Sequence, residues 1–355
     1  MGKYVLVINP GSTSTKIALF NDETTVFESK ISHSTEEIQQ FENVASQFEF
    51  RKNLIVKELN NHNYQISDLD AVCGRGGLLK PIKGGTYLVN DEMIKDLTEA
   101  KRGEHASNLG ALIAKDIADD ALIPAFIVDP VSVDEMEDIA RISGMPCIER
   151  PSLFHALNQK AIAREVAKDK NKKYESLNLI VAHLGGGISV GAHKKGHIVD
   201  VNNALDGDGP MSPERSGTVP LGPLYKMCFS NKYTLKEIKS MNYGKGGLVA
   251  YLGTNNAVEV VKQIKQGDEK AKLIYEAMAY QISKEIGACC TVLKGDIDYI
   301  VLTGGLANEK YLVNKILERI SFLSEVLVYP GENELLSLAQ GALRVLYKEE
   351  EPKTY

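Results

Sequence analysis

Apolar and polar positions alternate between two periods along this chain. Residues 4–8 (YVLVI) form a short continuous apolar run, the length of a buried strand. A turn-rich stretch follows, Asn9-Pro10-Gly11-Ser12-Thr13-Ser14-Thr15. Lys16-Ile17-Ala18-Leu19-Phe20 then reads as a returning strand. The chain is therefore expected to open with a β-hairpin tipped by Gly, Ser and Thr. Spaced apolar residues over 34–62 (Ile38, Phe41, Phe48, Leu54, Ile55, Leu59) predict helix, as does the period over 91–120, interrupted near Arg102-Gly103. Between them, Asp70-Ala71-Val72-Cys73 predicts a strand running into Gly74-Arg75-Gly76-Gly77. Ala125–Val128 predicts another, ending at Asp129-Pro130. Residues 152–169 predict a helix capped by Ser152, with a polar loop over 168–176.

The opening pattern returns at 179–185. Four apolar residues, a polar residue, one further residue and Gly occur at Val5–Gly11 and again at Leu179–Gly185, 174 positions on. Ile188–Ala192 alternates as a second returning strand, closed by Lys195-Gly196. Two copies half a chain apart indicate internal duplication. The last third predicts helices at 256–265 and 269–294, then a strand at 299–302 leading into Thr303-Gly304-Gly305. A helix near 309–322, a strand at 326–328, a final amphipathic helix at 335–347 and a solvated tail KEEEPKTY complete it. Strands alternating with helices indicate an α/β architecture.

Composition narrows this picture in a few places. With 355 residues, 43% apolar and 25% charged, the chain suits about two domains at roughly 150 residues each. A net charge of −6 lacks the basic footprint of a nucleic-acid surface. Five cysteines with no C-x-x-C spacing argue against a disulfide or zinc framework and for a reduced, cytoplasmic setting. No signal peptide is expected, and no apolar run approaches the ~20 residues of a membrane span.

The glycines are clustered rather than abundant. Gly11-Ser12-Thr13-Ser14-Thr15-Lys16 lacks the second glycine of a P-loop and is followed by strand, so the Walker reading is rejected. A hairpin tip can still offer amides, hydroxyls and one ammonium to a phosphate, or be an ordinary polar turn. His183-Leu184-Gly185-Gly186-Gly187 ends a strand with three glycines, which suits close backbone approach to a ligand. Leu302-Thr303-Gly304-Gly305-Leu306 has the strand–GG–helix order that places a nucleotide at a strand's carboxyl end. Together the three point to an ATP cleft in a duplicated fold. Arg75 and Arg215 sit among glycines and suit a carboxylate or phosphate, or else pair an acid at the surface. Asp129 reads as functional or as a turn cap, His105 and His155 as functional or structural. Glu334 reads by default as a favourable charge at a helix N-terminus. GKGG at 244–247 finds no role.

These residues, taken in order, resemble the acetate kinase–butyrate kinase family of the actin/Hsp70/hexokinase-like superfamily, its butyrate kinase branch above all. The likeness runs from VLVINPGSTSTKIALF (5–20) to LLSLAQGALRVL (335–346). Residues 5–20 are similar to the first phosphate motif, 179–195 to the second, 299–313 to the adenosine motif and 335–346 to the second connecting helix. The resemblance implies two duplicated actin-like (ribonuclease H-like) domains with a central ATP cleft. One would span 1–148 plus about 335–355, and the other, with the adenosine site, 149–334.

It further implies reversible phosphoryl transfer between ATP and a short-chain carboxylate, butyrate above acetate, propionate or isobutyrate, with ATP/ADP and Mg2+ as cofactors. It implies a cytoplasmic homodimer or higher homo-oligomer acting on a carboxylate or acyl phosphate, with no nucleic-acid or membrane partner. Asn9, Gly11, Ser12, Ser14, Lys16, Gly185, Gly186 and Gly187 would hold phosphates, and Gly304 and Gly305 would admit adenosine. Arg75, Asp129, His155, His183 and Arg215 would be catalytic. Gly76, Gly77, His105 and Phe154 would line the acyl pocket, and Asn9 and Glu334 would place the metal. Gly77 stands where acetate kinases carry a branched residue, so its missing side chain is expected to make room for a longer acid. The competing class is an actin- or Hsp70-like ATP switch, which leaves Arg75 and Arg215 without a reason.

Overall fold

The computed structural model describes residues 2–355. The chain divides into two compact units, Met1–Asp134 with Asn333–Tyr355, and Glu135–Glu332.

In the first unit, β1 (Tyr4–Pro10), β2 (Ser14–Asn21) and β3 (Thr24–Ser32) form an antiparallel meander. A short helix α1 (Thr35–Ile38), capped by Ser34, and α2 (Phe48–Asn61) follow. The expected continuous helix over 34–62 is therefore broken. The turns around 39–47 contain no apolar stripe long enough to bury, so only the amphipathic second half extends. β4 (Ala71–Gly74), β5 (Thr86–Leu88), α3 (Asp91–Glu99), α4 (Asn108–Ala121) and β6 (Ala125–Val128) complete the sequence-contiguous part. The sheet order is β3-β2-β1-β4-β6-β5, parallel across β1–β4–β6 and antiparallel at β5. β4 is parallel to both neighbours and buried on both faces, and the core positions of β1 beside it, Val5–Ile8, are buried as well, which is why both read as apolar runs instead of alternating ones.

The second unit contains α5 (Asp138–Arg141), α6 (Ala156–Asp169), β7 (Asn178–Leu184), β8 (Ile188–Lys194), β9 (His197–Val201), α7 (Leu221–Cys228), α8 (Leu235–Asn242), α9 (Gly247–Leu252), α10 (Ala257–Lys265), α11 (Glu269–Val292), β10 (Tyr299–Gly304), α12 (Lys310–Ile320) and β11 (Val326–Pro330). Its sheet runs β11-β10-β7-β8-β9. The antiparallel meander β7-β8-β9 continued by parallel β10 and β11 repeats the plan β1-β2-β3, β4, β6. The duplication read from a short motif thus extends to five strands of each sheet, with β5 the addition in the first. Ser152 is not the cap of α6; that helix starts at Ala156 after His155. The sequence pattern does not predict α7, α8 and α9.

A last helix, α13 (Glu334–Leu346), returns to the first unit and packs its Gly341 against Val128. The tail beyond it is not solvated. Lys353 pairs alongside Tyr87, with Lys353 N–H donating to Thr86 O at 2.8 Å and Leu88 N–H to Lys353 O at 3.0 Å. Tyr355 is buried and its hydroxyl donates to Asp96 Oδ2 at 2.6 Å. The edge strand β5 supplies unpaired backbone groups, and a tail ending in an aromatic ring satisfies them. No helix among the described residues is long and apolar enough to cross a membrane.

Candidate active site

The hairpin tip of the first unit is organised from behind by a residue the sequence reading passed over. Arg51 of α2 is 1% exposed. Its Nη1 donates to Gly11 O at 2.8 Å and Thr15 Oγ1 at 3.1 Å, its Nη2 to Ser12 O at 3.3 Å, and Nε and Nη2 both reach Gln47 Oε1. Burial pulls its pKa down to about 10. His33 N–H donates to Thr13 O, and Gly11 N–H closes the turn onto Ser14 O at 2.7 Å. All four tip carbonyls are thereby occupied. The Ser12 and Thr13 amides donate to no group among the described residues, and both residues are exposed. Consecutive amides left open in a tight turn make an anion-binding concavity. Lys16 lies directly across from Asn9 in the ladder and is exposed.

Asn9, Arg75 and Glu334, widely spaced in the chain, meet in this unit. Arg75 Nη1 donates to Glu334 Oε1 at 2.6 Å, and Asn9 Nδ2 donates to Glu334 Oε2 at 2.8 Å. Glu334 stands in the first turn of α13, where the helix N-terminus favours its charge. Arg75 is fixed by backbone packing: a Cβ on Gly74 would overlap Gly110 O, and one on Gly110 would overlap Arg75 O. Side chains there would push α4 off the strand end. The same logic corrects the reading of Gly76 and Gly77. A Cβ on Gly76 would run into Pro130, and one on Gly77 would lie 2.6 Å from Asn108 Cα and 2.9 Å from Leu97 Cδ2. Gly77 faces the helices of its own unit, so its missing side chain does not enlarge an acyl pocket. Asp129, 1% exposed with φ +38°, accepts the Gly85 amide on Oδ1 at 2.7 Å. His105 Nδ1 lies 2.7 Å from Ser107 Oγ; desolvation and then the Arg75 charge lower its pKa.

In the second unit the tip Gly185-Gly186-Gly187 is one residue shorter than Gly11–Ser14, because Leu184 pairs with Ile188 where Pro10 pairs with Thr15. Gly185 N–H donates to Gly187 O, while the Gly186 and Gly187 amides donate to no group among the described residues. Gly186 and Gly187 are 174 positions after Ser12 and Thr13, so the two units leave equivalent amides open. Ser212 Oγ donates to Gly186 O at 2.6 Å. A Cβ on Gly187 would occupy the place of the Arg215 guanidinium, which donates to Ala204 O and lies over the Tyr243 ring at 4.8 Å. Arg215 Nε is buried and has no hydrogen-bond partner among the described residues.

The GKGG stretch now has a role. Gly244 N–H donates to Glu214 O at 2.8 Å, and a Cβ on Gly246 or Gly247 would collide with the 212–216 backbone. These glycines let α9 start hard against the Arg215 loop.

His155 and His183 stack, with ring centroids 3.9 Å apart at 17°. His183 is 3% exposed; its Nδ1 meets Asn158 Oδ1 at 2.7 Å and its Nε2 lies 3.2 Å from Glu332 Oε1. His183 holds the strand position equivalent to Asn9, so each unit's strand end reaches a glutamate from 332–334. Phe154 is buried within the second unit.

The Gly304–Gly305 pair splits. Gly304 has φ +91°, and its missing Cβ is the space taken by the Leu184 backbone, whereas a Cβ on Gly305 would meet nothing within 4 Å. Only Gly305 is therefore free to face a ligand. The described residues contain no group of three or more metal-ligating side chains. Glu334 and Asn9, in contact at 2.8 Å, offer oxygen donors of the kind magnesium takes alongside waters.

Residues 149–338 match the family model described as the acetokinase family. The chain belongs to that family. Acetokinase family members are phosphotransferases acting on a carboxyl group, and ATP is the nucleotide they use. Three solved structures share the fold across nearly the whole chain. Porphyromonas gingivalis acetate kinase is 20% identical with a TM-score of 0.78, covering 97% of this chain and 100% of its own. Entamoeba histolytica acetate kinase is 18% identical with a TM-score of 0.76 over 98% and 100%. A Francisella tularensis propionate kinase is 20% identical with a TM-score of 0.73 over 96% and 98%. The acetokinase fold of two related α/β halves matches the architecture described above.

Proposed function

We propose that this acetokinase-family chain moves the γ-phosphoryl group of ATP reversibly onto a short-chain fatty acid, butyrate first, giving butyryl phosphate and ADP. The observation that carries the phosphate half of this reading is the pair of equivalent tips, each with two consecutive amides without acceptors. The butyrate preference rests on sequence resemblance alone, since Gly77 packs inward.

A carboxylic acid with a pKa near ~4–5 is ionised at neutral pH, so the nucleophile needs no base. Its oxygen attacks the γ-phosphorus, the bond to the β–γ bridging oxygen breaks, and ADP leaves with that electron pair. Charge control is then the protein's task. Arg75 is assigned to the carboxylate and Arg215 to the transferring phosphoryl group. His155 and His183 donate hydrogen bonds to phosphoryl oxygens. Asp129 serves to orient an arginine rather than to take a proton. Ser12, Ser14, Lys16, Gly11 and Gly185–Gly187 hold phosphates, and Gly305 faces adenosine. Asn9 and Glu334 would hold magnesium, which supplies charge neutralisation on the phosphates when bound. His105 and Phe154 are assigned to the acyl side.

The purified enzyme is to be run with ATP and a panel of C2–C5 acids, trapping acyl phosphate as hydroxamate. Butyrate should give the highest kcat/KM, and Arg75→Ala and Arg215→Ala should each lose about 10²-fold or more in kcat. Acetate or propionate leading the panel would move the acceptor within the class. No acceptor at all would favour the ATP switch.

A further inference from the structure

Behind the stacked histidines of the second unit runs a buried line of polar side chains that the phosphoryl chemistry itself does not use. Tyr174 OH lies 2.8 Å from His193 Nδ1, His193 Nε2 lies 3.0 Å from Gln159 Oε1, Gln159 Nε2 lies 2.8 Å from Ser189 Oγ, and Ser189 Oγ lies 2.9 Å from His155 Nδ1. Gln159, Ser189 and His193 are 0% exposed. Ser189, Gly191 and His193 alternate on β8 and so share one face of the strand. Gly191 must be glycine there, because a Cβ would overlap Gln159 Oε1.

The direction of every bond in this line is determined. Gln159 Nε2 also lies 3.2 Å from Ser189 O, a backbone acceptor, so the amide cannot be turned round. Its Oε1 therefore faces His193 Nε2, which must carry a hydrogen. Burial, followed by the nearby Lys160 and Arg164 charges, drives the His193 pKa well below the usual imidazole value. The ring is neutral, Nδ1 is an acceptor, and Tyr174 O–H donates to it. At the other end Ser189 Oγ accepts from Gln159 and needs an acceptor for its own hydrogen. His155 Nδ1 is the acceptor within reach. A buried hydroxyl without one would be costly.

We infer that Tyr174, His193, Gln159 and Ser189 are positioning residues that hold His155 as the neutral tautomer protonated on Nε2. This deepens the phosphoryl-donor role proposed for His155 and rests on that reading. A phosphoryl oxygen offers only lone pairs, so the histidine facing it must present N–H. The line fixes which nitrogen presents it and orients the ring, so that no tautomer change is needed as the reaction proceeds.

The test is long-range proton–nitrogen NMR on the full-length enzyme labelled with 15N-histidine. His155 is assigned by comparison with His155→Ala, and His193 with His193→Gln. At neutral pH, His155 and His193 should each show Nε2 protonated and Nδ1 unprotonated. Ser189→Ala should mix the two His155 tautomers and lower kcat by about 10²-fold, the usual cost of one misdirected donor, with KM for ATP within about twofold. A wild-type His155 protonated on Nδ1, or an unchanged tautomer in folded Ser189→Ala, would overturn the line. His155→Ala turning over at the wild-type rate would instead overturn the donor reading of His155, and the tautomer spectrum separates the two failures.

Discussion

The two hairpin tips solve one problem by opposite means. Both end a strand in the same register of the same sheet plan, and both leave two adjacent amides open. In the first, side chains remain on the tip and a buried arginine behind it takes up the carbonyls of Gly11 and Ser12. In the second, the tip has no side chains, and an arginine from the 212–216 loop lies where a Cβ of Gly187 would be. The first tip is thus stiffened by hydrogen bonds from the core. The second is made thin so that a charged group can reach the same place as its amides. Duplication conserved the backbone plan, and divergence went into what supports it.

Substituting equivalent positions is the harshest test of that contrast. Gly187→Ala should displace the Arg215 guanidinium and lower kcat by about 10²-fold or more. Thr13→Gly, the reciprocal change at the equivalent exposed position, should cost less than about tenfold. Similar losses in steady-state hydroxamate assays would remove the distinction. Next in size is Arg51→Ala, which leaves several tip and helix acceptors without donors. About 2–4 kcal/mol should be lost in urea unfolding, and KM for ATP should rise. Arg215 instead lies against the second tip itself, so Arg215→Ala should cost less stability than Arg51→Ala in the same urea unfolding while lowering kcat by about 10²-fold or more.

A smaller effect separates packing glycines from ligand-facing ones. Gly77→Val forces a branched side chain against Asn108 and Leu97 and should destabilise by about 1–3 kcal/mol. The butyrate-to-acetate ratio of kcat/KM should stay unchanged, and a selective loss of butyrate turnover would restore the acyl-pocket reading.

The gentlest comparison is with pH. His33 touches Thr15 Oγ1 under the first tip, and burial together with the Arg51 charge lowers its pKa. His193 in the second unit is depressed further, by burial and the Lys160 and Arg164 charges. Below the unfolded-state pKa near ~6.5 the unfolded chain binds the proton that the native ring refuses. Stability is therefore full above that pH and falls as pH drops, by up to about 1.4 kcal/mol per pH unit for each such ring. The fall should level off first for His33 and continue to lower pH for His193. Urea midpoints against pH for His33→Gln and His193→Gln would show which ring carries which part of the slope; unchanged profiles would contradict both assignments.

Much of the scaffold was legible in the residues. Apolar runs at 4–8, 179–182 and 299–302 marked the central strands, and glycine clusters marked where strands end. Local period and turn chemistry act over a few neighbours, so they can be read in order along the chain. The site was legible only in part. The family resemblance put Asn9 and Glu334 together at the metal, but that Arg75 joins them in one hydrogen-bonded cluster was not visible. Glu334 reaches Asn9 across most of the chain only because α13 returns to the first unit. Arg51 gave no signal, since an arginine on a charged helix ordinarily faces water. Gln159 and Ser189 read as ordinary positions of a helix and a strand.

The glycines show the division most sharply. Sequence alone determined where backbone was free to come close to something, at GRGG, GGG, GKGG and GG, because an absent Cβ permits close approach whatever the partner. Only the tertiary structure decided the partner: Asn108 and Leu97 for Gly77, the Leu184 backbone for Gly304, the Arg215 loop for Gly246 and Gly247, and the Arg215 guanidinium itself for Gly187. Permission is a property of one residue, whereas contact is a property of two segments brought together by burial of apolar surface elsewhere in the unit.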